Sequence, residues 1–307
     1  MAFALLFSGQ GLQQPAMLPW LDDDGAGMAA VHRIAGRDWR AALADPAAAG
    51  RNAFAQPLLT ALALAAWAQL APGLPPPAAV AGYSVGELAA CSAAGACTAD
   101  AAVALARQRA AAMDRAATRQ PPTGLLGVSG LPLAAIDALC VRHGVALAIR
   151  SGTATAVLGG PRPALAAAQA DAAAMGAHCT PINVALASHT RWMADAAQAF
   201  ADLLAAMPAE VLHTPRAALF ACATGARVPH AASLRSALAT QIDRTVRWDD
   251  CMDGIAERGV ACVLEIGAGS ALARQWNARH PDVPARAADE FRSAVAVGAW
   301  VARYAAG

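Results

Sequence analysis

The sequence predicts an α/β protein in which a large domain with a parallel sheet is interrupted by a smaller α+β unit. Near both ends of the chain, short apolar runs alternate with longer helical stretches, which is typical of a parallel sheet covered by helices. In the middle, four short strand-like runs and two helical stretches follow one another in a different order. The 307 residues are 57% hydrophobic, with abundant alanine, which favours a large core and many helices.

The first third of the chain carries the β-α-β-α pattern. The apolar residues Ala2–Phe7 predict a buried strand, and a long helical stretch follows at residues 54–71. A second short strand is expected at Ala78–Gly82, with helices from about Val85 and from about Asp100 to Ala117. These elements predict two neighbouring parallel strands with helices packed against them.

The middle segment reads β-α-β-β-α-β, the order of a ferredoxin-like unit. Its predicted strands and helices are Gly124–Val128, Leu133–His143, Val145–Ile149, Thr155–Leu158, Arg162–Met175 and His178–Val184. After Ser188 the sequence predicts a helix at Arg191–Met207, a strand at Ala217–Ala221, a helix at about Ser233–Gln241, a strand at Val260–Ile266 and further helices. We therefore predict a large domain from residues 1–122 and 190–307, and an inserted subdomain at 123–189, with a ligand cleft between them.

Composition excludes several classes of function. The net charge is +1 and aromatic residues do not alternate with basic clusters, so nucleic acid and anionic membranes are not expected partners. All 23 basic residues are arginine, which excludes a Schiff-base lysine and a P-loop lysine. The seven cysteines are scattered without a C-x-x-C pair, which argues against a zinc site or a disulfide framework.

The same features predict a soluble cytoplasmic protein. The N-terminus lacks the basic region, apolar stretch and cleavage site of a signal peptide. The longest apolar run, Leu58–Leu70, is too short to span a bilayer.

The residues Gly82-Tyr83-Ser84-Val85-Gly86 fit the pattern G-x-S-x-G between a predicted strand and a predicted helix. Two glycines permit a tight strand-to-helix turn, which exposes the serine hydroxyl beside the N–H groups of the helix N-terminus. This context indicates a nucleophilic Ser84. The alternative is a glycine-flanked helix start in which Ser84 is only the N-cap residue.

Two further strings make the chain resemble the malonyl-CoA:acyl-carrier-protein transacylase family. Glu87 and Leu88 extend the serine pattern, and Gly9-Gln10-Gly11 follows the first strand. The resemblance covers nearly the whole chain. It implies an α/β-hydrolase-like core with a parallel sheet plus a ferredoxin-like inserted subdomain. It also implies that the backbone N–H groups of Gln10 and Val85 form an oxyanion hole.

A serine nucleophile needs a base, and His189 has the most suitable position of the seven histidines. It lies between a strand-like stretch and a helix, at the far end of the insert, where a loop can reach the serine. The resemblance places the catalytic histidine of the family there. It also implies that a main-chain carbonyl or a neutral side chain near Val246-Arg247-Trp248 orients this histidine. Arg247 cannot accept a hydrogen bond, so its side chain is excluded from this role, and a backbone carbonyl close by is the other option.

The helix around Arg109 resembles the family helix that binds the carboxylate of the malonyl group. Arg109 precedes Met113 by four residues, the spacing of that helix, whereas Arg107 lies on another helix face. A planar guanidinium binds a carboxylate through two parallel hydrogen bonds. The resemblance therefore implies that Arg109 is the carboxylate clamp. A solvated helix arginine is the alternative.

Some positions depart from the family pattern. Tyr83 stands where histidine is frequent, Ser151 lies near a family asparagine, and Ala268-Gly269 replaces Pro-Gly in a late turn. The string Ala187-Ser188-His189 is also found in methylmalonyl-specific polyketide acyltransferases, which leaves the preferred acyl group open.

The implied reaction transfers a malonyl group from malonyl-CoA to an acyl carrier protein through an acyl-serine, without a metal or a bound cofactor. The string Gly82–Leu88 and the lead-in Asn52–Pro57 look most like the malonate decarboxylase epsilon subunit, so its carrier subunit is the expected partner. Fatty-acid or polyketide synthesis is the nearest alternative. An α/β-hydrolase-type esterase or thioesterase and a non-catalytic scaffold subunit remain as other classes.

Overall fold

The computed structural model describes residues 2–182 and 184–305. Its strands are β1 Phe3–Phe7, β2 Ala79–Gly82, β3 Thr123–Ser129, β4 Ala146–Gly152, β5 Thr155–Pro161, β6 His178–Ile182, β7 Ala218–Ala221, β8 Ala226–Arg227, β9 Val246–Arg247, β10 Cys262–Ile266 and β11 Ala285–Ala287. Its helices are α1 Met28–Ala35, α2 Trp39–Ala42, α3 Pro46–Ala49, α4 Asn52–Leu70, α5 Gly86–Ala93, α6 Ala99–Ala117, α7 Leu133–His143, α8 Arg162–Ala174, α9 Ala194–Ala206, α10 Ala231–Thr240, α11 Trp248–Ala256, α12 Ala271–Arg279 and α13 Ala294–Ala305.

The larger sheet has six strands in the order β11-β10-β1-β2-β7-β8. Its pairs are parallel except for the short β7–β8 hairpin. All five residues of β1 are buried, because this strand lies in the centre of the sheet between two layers of helices. The carboxyl end of β2, beside β1, leads directly into the Ser84 turn, the usual place for a ligand site in such a sheet.

The smaller sheet has five strands in the order β6-β3-β5-β4-β9. The pairs among β3, β4, β5 and β6 are antiparallel, and helices α7 and α8 connect them. The predicted β-α-β-β-α-β order of the middle segment is therefore observed. The fifth strand, β9, comes from outside residues 123–189 and pairs in parallel with β4, so the later chain reaches into this sheet. The domain limits at 122/123 and 189/190 stay a prediction.

Most predicted elements are present, with shifted ends. The strand expected at His178–Val184 ends at Ile182, and Asn183 lies outside the described residues. The helix expected from Arg191 begins with a 3₁₀ turn at Arg191–Met193. The predictions omitted the helices α1, α2, α3 and α11 and the short strands β8, β9 and β11. These elements are short, and tertiary contacts rather than local sequence determine them.

One helical segment in the described part of the chain, residues 52–73, is long and apolar enough to cross a membrane by length and composition alone. The helix extends beyond the apolar run Leu58–Leu70, which by itself is too short to cross a bilayer. About 72% of its apolar window is buried inside the protein, and α4 packs closely against α1 and α6. Core helices pass the same test, so the segment is weak evidence for a membrane span.

Candidate active site

Ser84 occupies a sharp turn between β2 and α5, in the left-handed backbone conformation with φ of 56°. The turn depends on its two glycines. A Cβ atom on Gly82 would lie 2.1 Å from the carbonyl carbon of Gly86, and one on Gly86 would lie 2.4 Å from the carbonyl oxygen of Phe7. A larger residue at position 82 would open the turn, and one at position 86 would push it away from β1. The glycines therefore allow the strained serine to project from the sheet.

Ser84 and His189 are in hydrogen-bonding contact, although 105 residues separate them in the sequence. Ser84 Oγ lies 2.9 Å from His189 Nε2, and His189 Nδ1 lies 2.6 Å from the carbonyl oxygen of Gln241. A carbonyl only accepts hydrogen bonds, so Nδ1 carries the proton and the Nε2 lone pair faces the serine hydroxyl. This arrangement suits a serine nucleophile and its general base.

The electrostatic environment keeps His189 neutral. Burial lowers the pKa of the imidazole to about 3, and the charge of Arg109 contributes in the same direction. The hydrogen bond to the Gln241 carbonyl opposes this shift. At neutral pH the ring is therefore ready to accept a proton.

The loop carrying His189 is fixed by contacts with distant segments. His189 has φ of 63°, and its backbone N–H donates to the carbonyl of Ile242 at 2.9 Å. The N–H of Ala187 donates to Thr123 Oγ at 3.0 Å, and the Thr190 hydroxyl donates to the carbonyl of Ala187 at 2.5 Å. The start of β3 and the segment after α10 thus hold the imidazole against the turn that carries Ser84, which we call the elbow.

Arg109 is buried in α6 with its guanidinium directed at the serine. Nη1 donates to Gln56 Oε1 at 2.8 Å, and Nη2 donates to Gln241 Oε1 at 2.8 Å and to Ser84 Oγ at 3.4 Å. A guanidinium has five N–H groups, so two have no acceptor among the described residues. Burial lowers the pKa of Arg109 to about 10, which leaves it charged. The site thus holds a desolvated cation that can bind a carboxylate. Arg107, in contrast, is exposed.

Gln10 and Val85 border the same cavity as Ser84. Within residues 2–182 and 184–305, neither backbone N–H donates to a protein acceptor. The Gln10 side chain donates to the carbonyl of Gly50 at 2.9 Å, which fixes the loop after β1. The two amides are therefore available as donors near Ser84, as an oxyanion hole requires.

Gln241 links most of the site, although the sequence analysis assigned it no role. Its side-chain Nε2 donates to the carbonyl of Ser84 at 2.8 Å and to Glu87 Oε2 at 2.5 Å. Its side-chain oxygen accepts from Arg109, and its main-chain oxygen accepts from His189. The carbonyl that orients the imidazole thus lies before the expected Val246–Trp248 segment. Arg247 is directed away and pairs with Asp250.

Gln56 is a second site residue that the sequence analysis missed. It is buried in the apolar helix α4, and its side chain holds Arg109. A polar side chain on a mostly apolar helix was the available signal. Gln241 had no such signal, because it directly follows an ordinary helix and reaches the site only through the fold.

Of the positions that depart from the family pattern, Tyr83 lines the cavity beside Ser84. Burial raises the pKa of the Tyr83 phenol, and an interaction with Ser151 partly offsets this shift. The Tyr83 ring packs edge-on against Trp248, with the centroids 5.3 Å apart.

The serine, the histidine and the arginine line one cavity of about 80 Å³. Its apolar wall includes Leu125, Ile149 and Ile182 from the smaller sheet. The site thus lies where the two sheets face each other. Across the described residues, no group of three or more His, Cys, Asp or Glu side chains could hold a metal ion.

The fold and this geometry are those of an acyltransferase with a serine nucleophile. The chain matches the acyl transferase domain family over residues 5–302, and it belongs to that family. It is 35% identical over 293 residues to the malonyl CoA-acyl carrier protein transacylase of Mycobacterium tuberculosis, which covers 92% of this chain and 95% of that protein.

Solved structures agree with this assignment. An acyl-carrier-protein S-malonyltransferase from Burkholderia pseudomallei superimposes with a TM-score of 0.87 at 27% identity, covering 97% of this chain and all of the other. A type II polyketide synthase acyl-carrier protein in complex with its malonyl-transacylase provides another match, with a TM-score of 0.87, 26% identity and coverage of 96% and 98%. The chain therefore belongs to the malonyl-CoA:acyl-carrier-protein transacylase family.

Proposed function

We propose that this protein transfers a malonyl group from malonyl-CoA to the thiol of an acyl carrier protein through an acyl-serine on Ser84. One observation carries the proposal. A serine hydroxyl 2.9 Å from a neutral, oriented imidazole also lies 3.4 Å from a buried guanidinium. The site therefore combines an activated nucleophile with a cation for a carboxylated acyl group. The names of the relatives in this family support the same reaction.

In the first half-reaction, His189 Nε2 takes the proton of Ser84 Oγ as the oxygen attacks the thioester carbonyl. The N–H groups of Gln10 and Val85 stabilise the negative charge that develops on the carbonyl oxygen; losing one such donor costs roughly 3 to 4 kcal/mol. The Gln241 carbonyl stabilises the imidazolium through Nδ1–H. The tetrahedral intermediate then collapses, the coenzyme A sulfur leaves with the proton from His189, and malonyl-serine remains.

In the second half-reaction, the carrier thiol replaces coenzyme A and the steps run in reverse. His189 takes the thiol proton, the sulfur attacks the acyl-serine, and the proton returns to Ser84 Oγ. The scheme uses only side chains and backbone amides of this chain. A groove of about 390 Å³ shares Leu125 and Ile182 with the site and offers room for the thioester arm.

The test of the reaction separates its two halves. The enzyme is incubated with malonyl-CoA, desalted, and then mixed with a carrier protein bearing its thiol arm. The proposal expects malonyl transfer to the carrier and parallel lines in double-reciprocal initial-rate plots. If free malonate forms at the same rate with and without the carrier, the protein is a thioesterase of the hydrolase type instead.

The role of Arg109 predicts a specific loss of selectivity. Arg109→Ala should lower kcat/KM for malonyl-CoA about 100-fold or more, because a charge-assisted, bidentate contact is removed, while some acetyl transfer remains. Initial rates with malonyl-CoA and acetyl-CoA measure the effect. Equal losses for both donors would contradict the clamp role. Arg107→Ala, on the exposed face of the same helix, is the matched control and should change neither rate.

The finer proposal concerns the carrier. The strings Gly82–Leu88 and Asn52–Pro57 support a role as the loading subunit of malonate decarboxylase, and that subunit's carrier would then be the preferred acceptor. Named relatives support fatty-acid or polyketide synthesis as the alternative. Comparing kcat/KM for the carrier of malonate decarboxylase and for carriers of fatty-acid or polyketide synthesis distinguishes these roles. A preference for a fatty-acid carrier would reject the role in malonate decarboxylase.

We also propose the architecture implied by the resemblance, a hydrolase-like core with a ferredoxin-like insert at residues 123–189. The strand order β6-β3-β5-β4 supports the second part. A cytoplasmic location remains part of the proposal, and fractionation of cells with a specific antibody tests it.

A further inference from the structure

Glu87 is a buried carboxylate one helical turn beyond Ser84. Only 3% of the residue is exposed, and it lies in the first turn of α5. One carboxylate oxygen accepts from the backbone N–H of Cys222, and the other accepts from Gln241 Nε2 at 2.5 Å. Hydrogen bonds alone do not neutralise a buried charge, so a nearby cation is expected.

That cation is Arg109, which is also buried, with 2% exposed. Within the described part of the chain, the two charged groups form no direct ion pair, because each contacts other partners. The side-chain amide of Gln241 lies between them instead, with its N–H group toward Glu87 and its oxygen toward Arg109. These partners fix the orientation of the amide, since a carboxylate only accepts and a guanidinium only donates.

A malonyl group changes this balance of charge. If the acyl carboxylate binds Arg109, as the proposed function states, two carboxylates share one buried cation. A second negative charge close by makes the ionised form of each carboxylate less stable. Substrate binding should therefore favour the neutral form of Glu87.

The other titratable groups around Glu87 do not change charge near neutral pH. Burial raises the pKa of the Cys91 thiol in α5 and of the Cys222 thiol after β7, and both stay neutral. His189 is neutral and Arg109 is charged. Burial raises the pKa of Glu87 itself to about 7, partly offset by its hydrogen bonds and by Arg109. Glu87 is thus the group of this set that titrates in the working range.

We propose that Glu87 is the resident counterion of Arg109 and that it takes up one proton from solvent when the acyl carboxylate binds. The inference rests on the proposed function. Glu87 does not touch the substrate; it is a positioning residue that acts through Gln241 and Arg109. Its charge state would set how strongly the site prefers a carboxylated acyl group over a neutral one.

The test is how the ratio of two acylation rates, with malonyl-CoA and with acetyl-CoA, depends on pH. Single-turnover acylation of Ser84 by malonyl-CoA and by acetyl-CoA is followed by intact mass, so that slow acetylation is still counted, between about pH 6 and about pH 9. Both donors carry the same coenzyme A charges and use the same serine and histidine, so these contributions cancel. Above about pH 7 the malonyl-to-acetyl ratio should fall by up to about tenfold per pH unit.

Matched variants make the test specific to Glu87. Glu87→Gln should make the ratio independent of pH. Glu265→Gln removes another buried carboxylate, which binds Ser8 Oγ and the Ala273 N–H rather than Gln241, and should keep the slope. A flat ratio in the unchanged protein, or the same slope after Glu87→Gln, would overturn the inference. If malonyl-CoA fails to acylate Ser84 at any pH, the proposed function fails instead.

Discussion

The elbow carrying Ser84 and the loop carrying His189 both hold a left-handed residue at the site, yet they are built in opposite ways. The elbow is a local structure, because two glycines within two residues of the serine allow its turn to pack against β1. The histidine loop depends on partners far along the chain, namely Thr123, Gln241 and Ile242. A short sequence pattern can therefore reveal the first region, whereas only the fold explains the second.

The substitution expected to disrupt the elbow most strongly is Gly86→Ala, which adds a single methyl group. Gly86→Ala places a Cβ atom 2.4 Å from the carbonyl oxygen of Phe7 and 2.7 Å from that of Ser8, and backbone atoms cannot move aside as a flexible side chain can. We expect a loss of about 3 kcal/mol or more in the free energy of unfolding. Urea unfolding measures it.

Gly298→Ala is the control for that change. Gly298 lies in α13, and no atom approaches its added Cβ within 4 Å, so alanine should stabilise the helix by about 0.5 to 1 kcal/mol. If both variants unfold like the unchanged protein, the close approach at the elbow does not restrict its sequence.

The burial of His189 predicts a pH dependence of stability. Its pKa is lowered from 6.5 to about 3 in the folded protein, so the unfolded chain binds the extra proton between these values. Stability from this group is present above about pH 6.5 and is lost as the pH falls. Between about pH 7.5 and about pH 5, the unchanged protein should lose about 2 kcal/mol more than His189→Gln.

Urea unfolding of the two proteins at both pH values provides the comparison. Taking the difference between them removes the contribution of Glu87, whose raised pKa acts in the opposite direction over part of this range. Parallel pH profiles would show that the imidazole is solvated in solution.

A smaller change tests the support of the histidine loop. Thr123→Val keeps the side-chain shape but removes the acceptor of the Ala187 N–H, which is buried. We expect a loss of about 1 kcal/mol in stability and a several-fold slower acylation of Ser84, because the imidazole is less well positioned. Thr118→Val, at the exposed end of α6, should change neither quantity. Unchanged acylation in Thr123→Val would mean that the loop is held without β3.

The sequence predicted those parts of the molecule that depend on local patterns. The buried strand β1, the helices α4, α6 and α7, and the β-α-β-β-α-β order all follow from apolar runs and periodicity. The strands β8 and β9 have two residues each and exist because a neighbouring strand offers hydrogen bonds. Such elements have no sequence pattern of their own.

The site divides in the same way. Ser84 was found from its glycines, and His189 and Arg109 from family strings, and the fold brings all three together. Gln241 orients His189, and Gln56 orients Arg109. Gln241 directly follows an ordinary helix, and Gln56 lies inside a mostly apolar one. Each glutamine acts through a hydrogen bond to a residue that is distant in the sequence, 52 residues away for Gln241 and 53 residues away for Gln56. In the sequence, Glu87 was noted only as an extension of the Gly82–Gly86 pattern, and no role was assigned to it.

The central claim is that Ser84 becomes acylated by malonyl-CoA with His189 as the base. Intact-mass spectrometry after brief incubation with malonyl-CoA, followed by peptide mapping, tests this directly. The account predicts one added malonyl group on the peptide containing Ser84, none in Ser84→Ala, and formation slowed by about a thousandfold or more in His189→Ala. A malonyl adduct that persists in Ser84→Ala, or forms at an unchanged rate in His189→Ala, would contradict it.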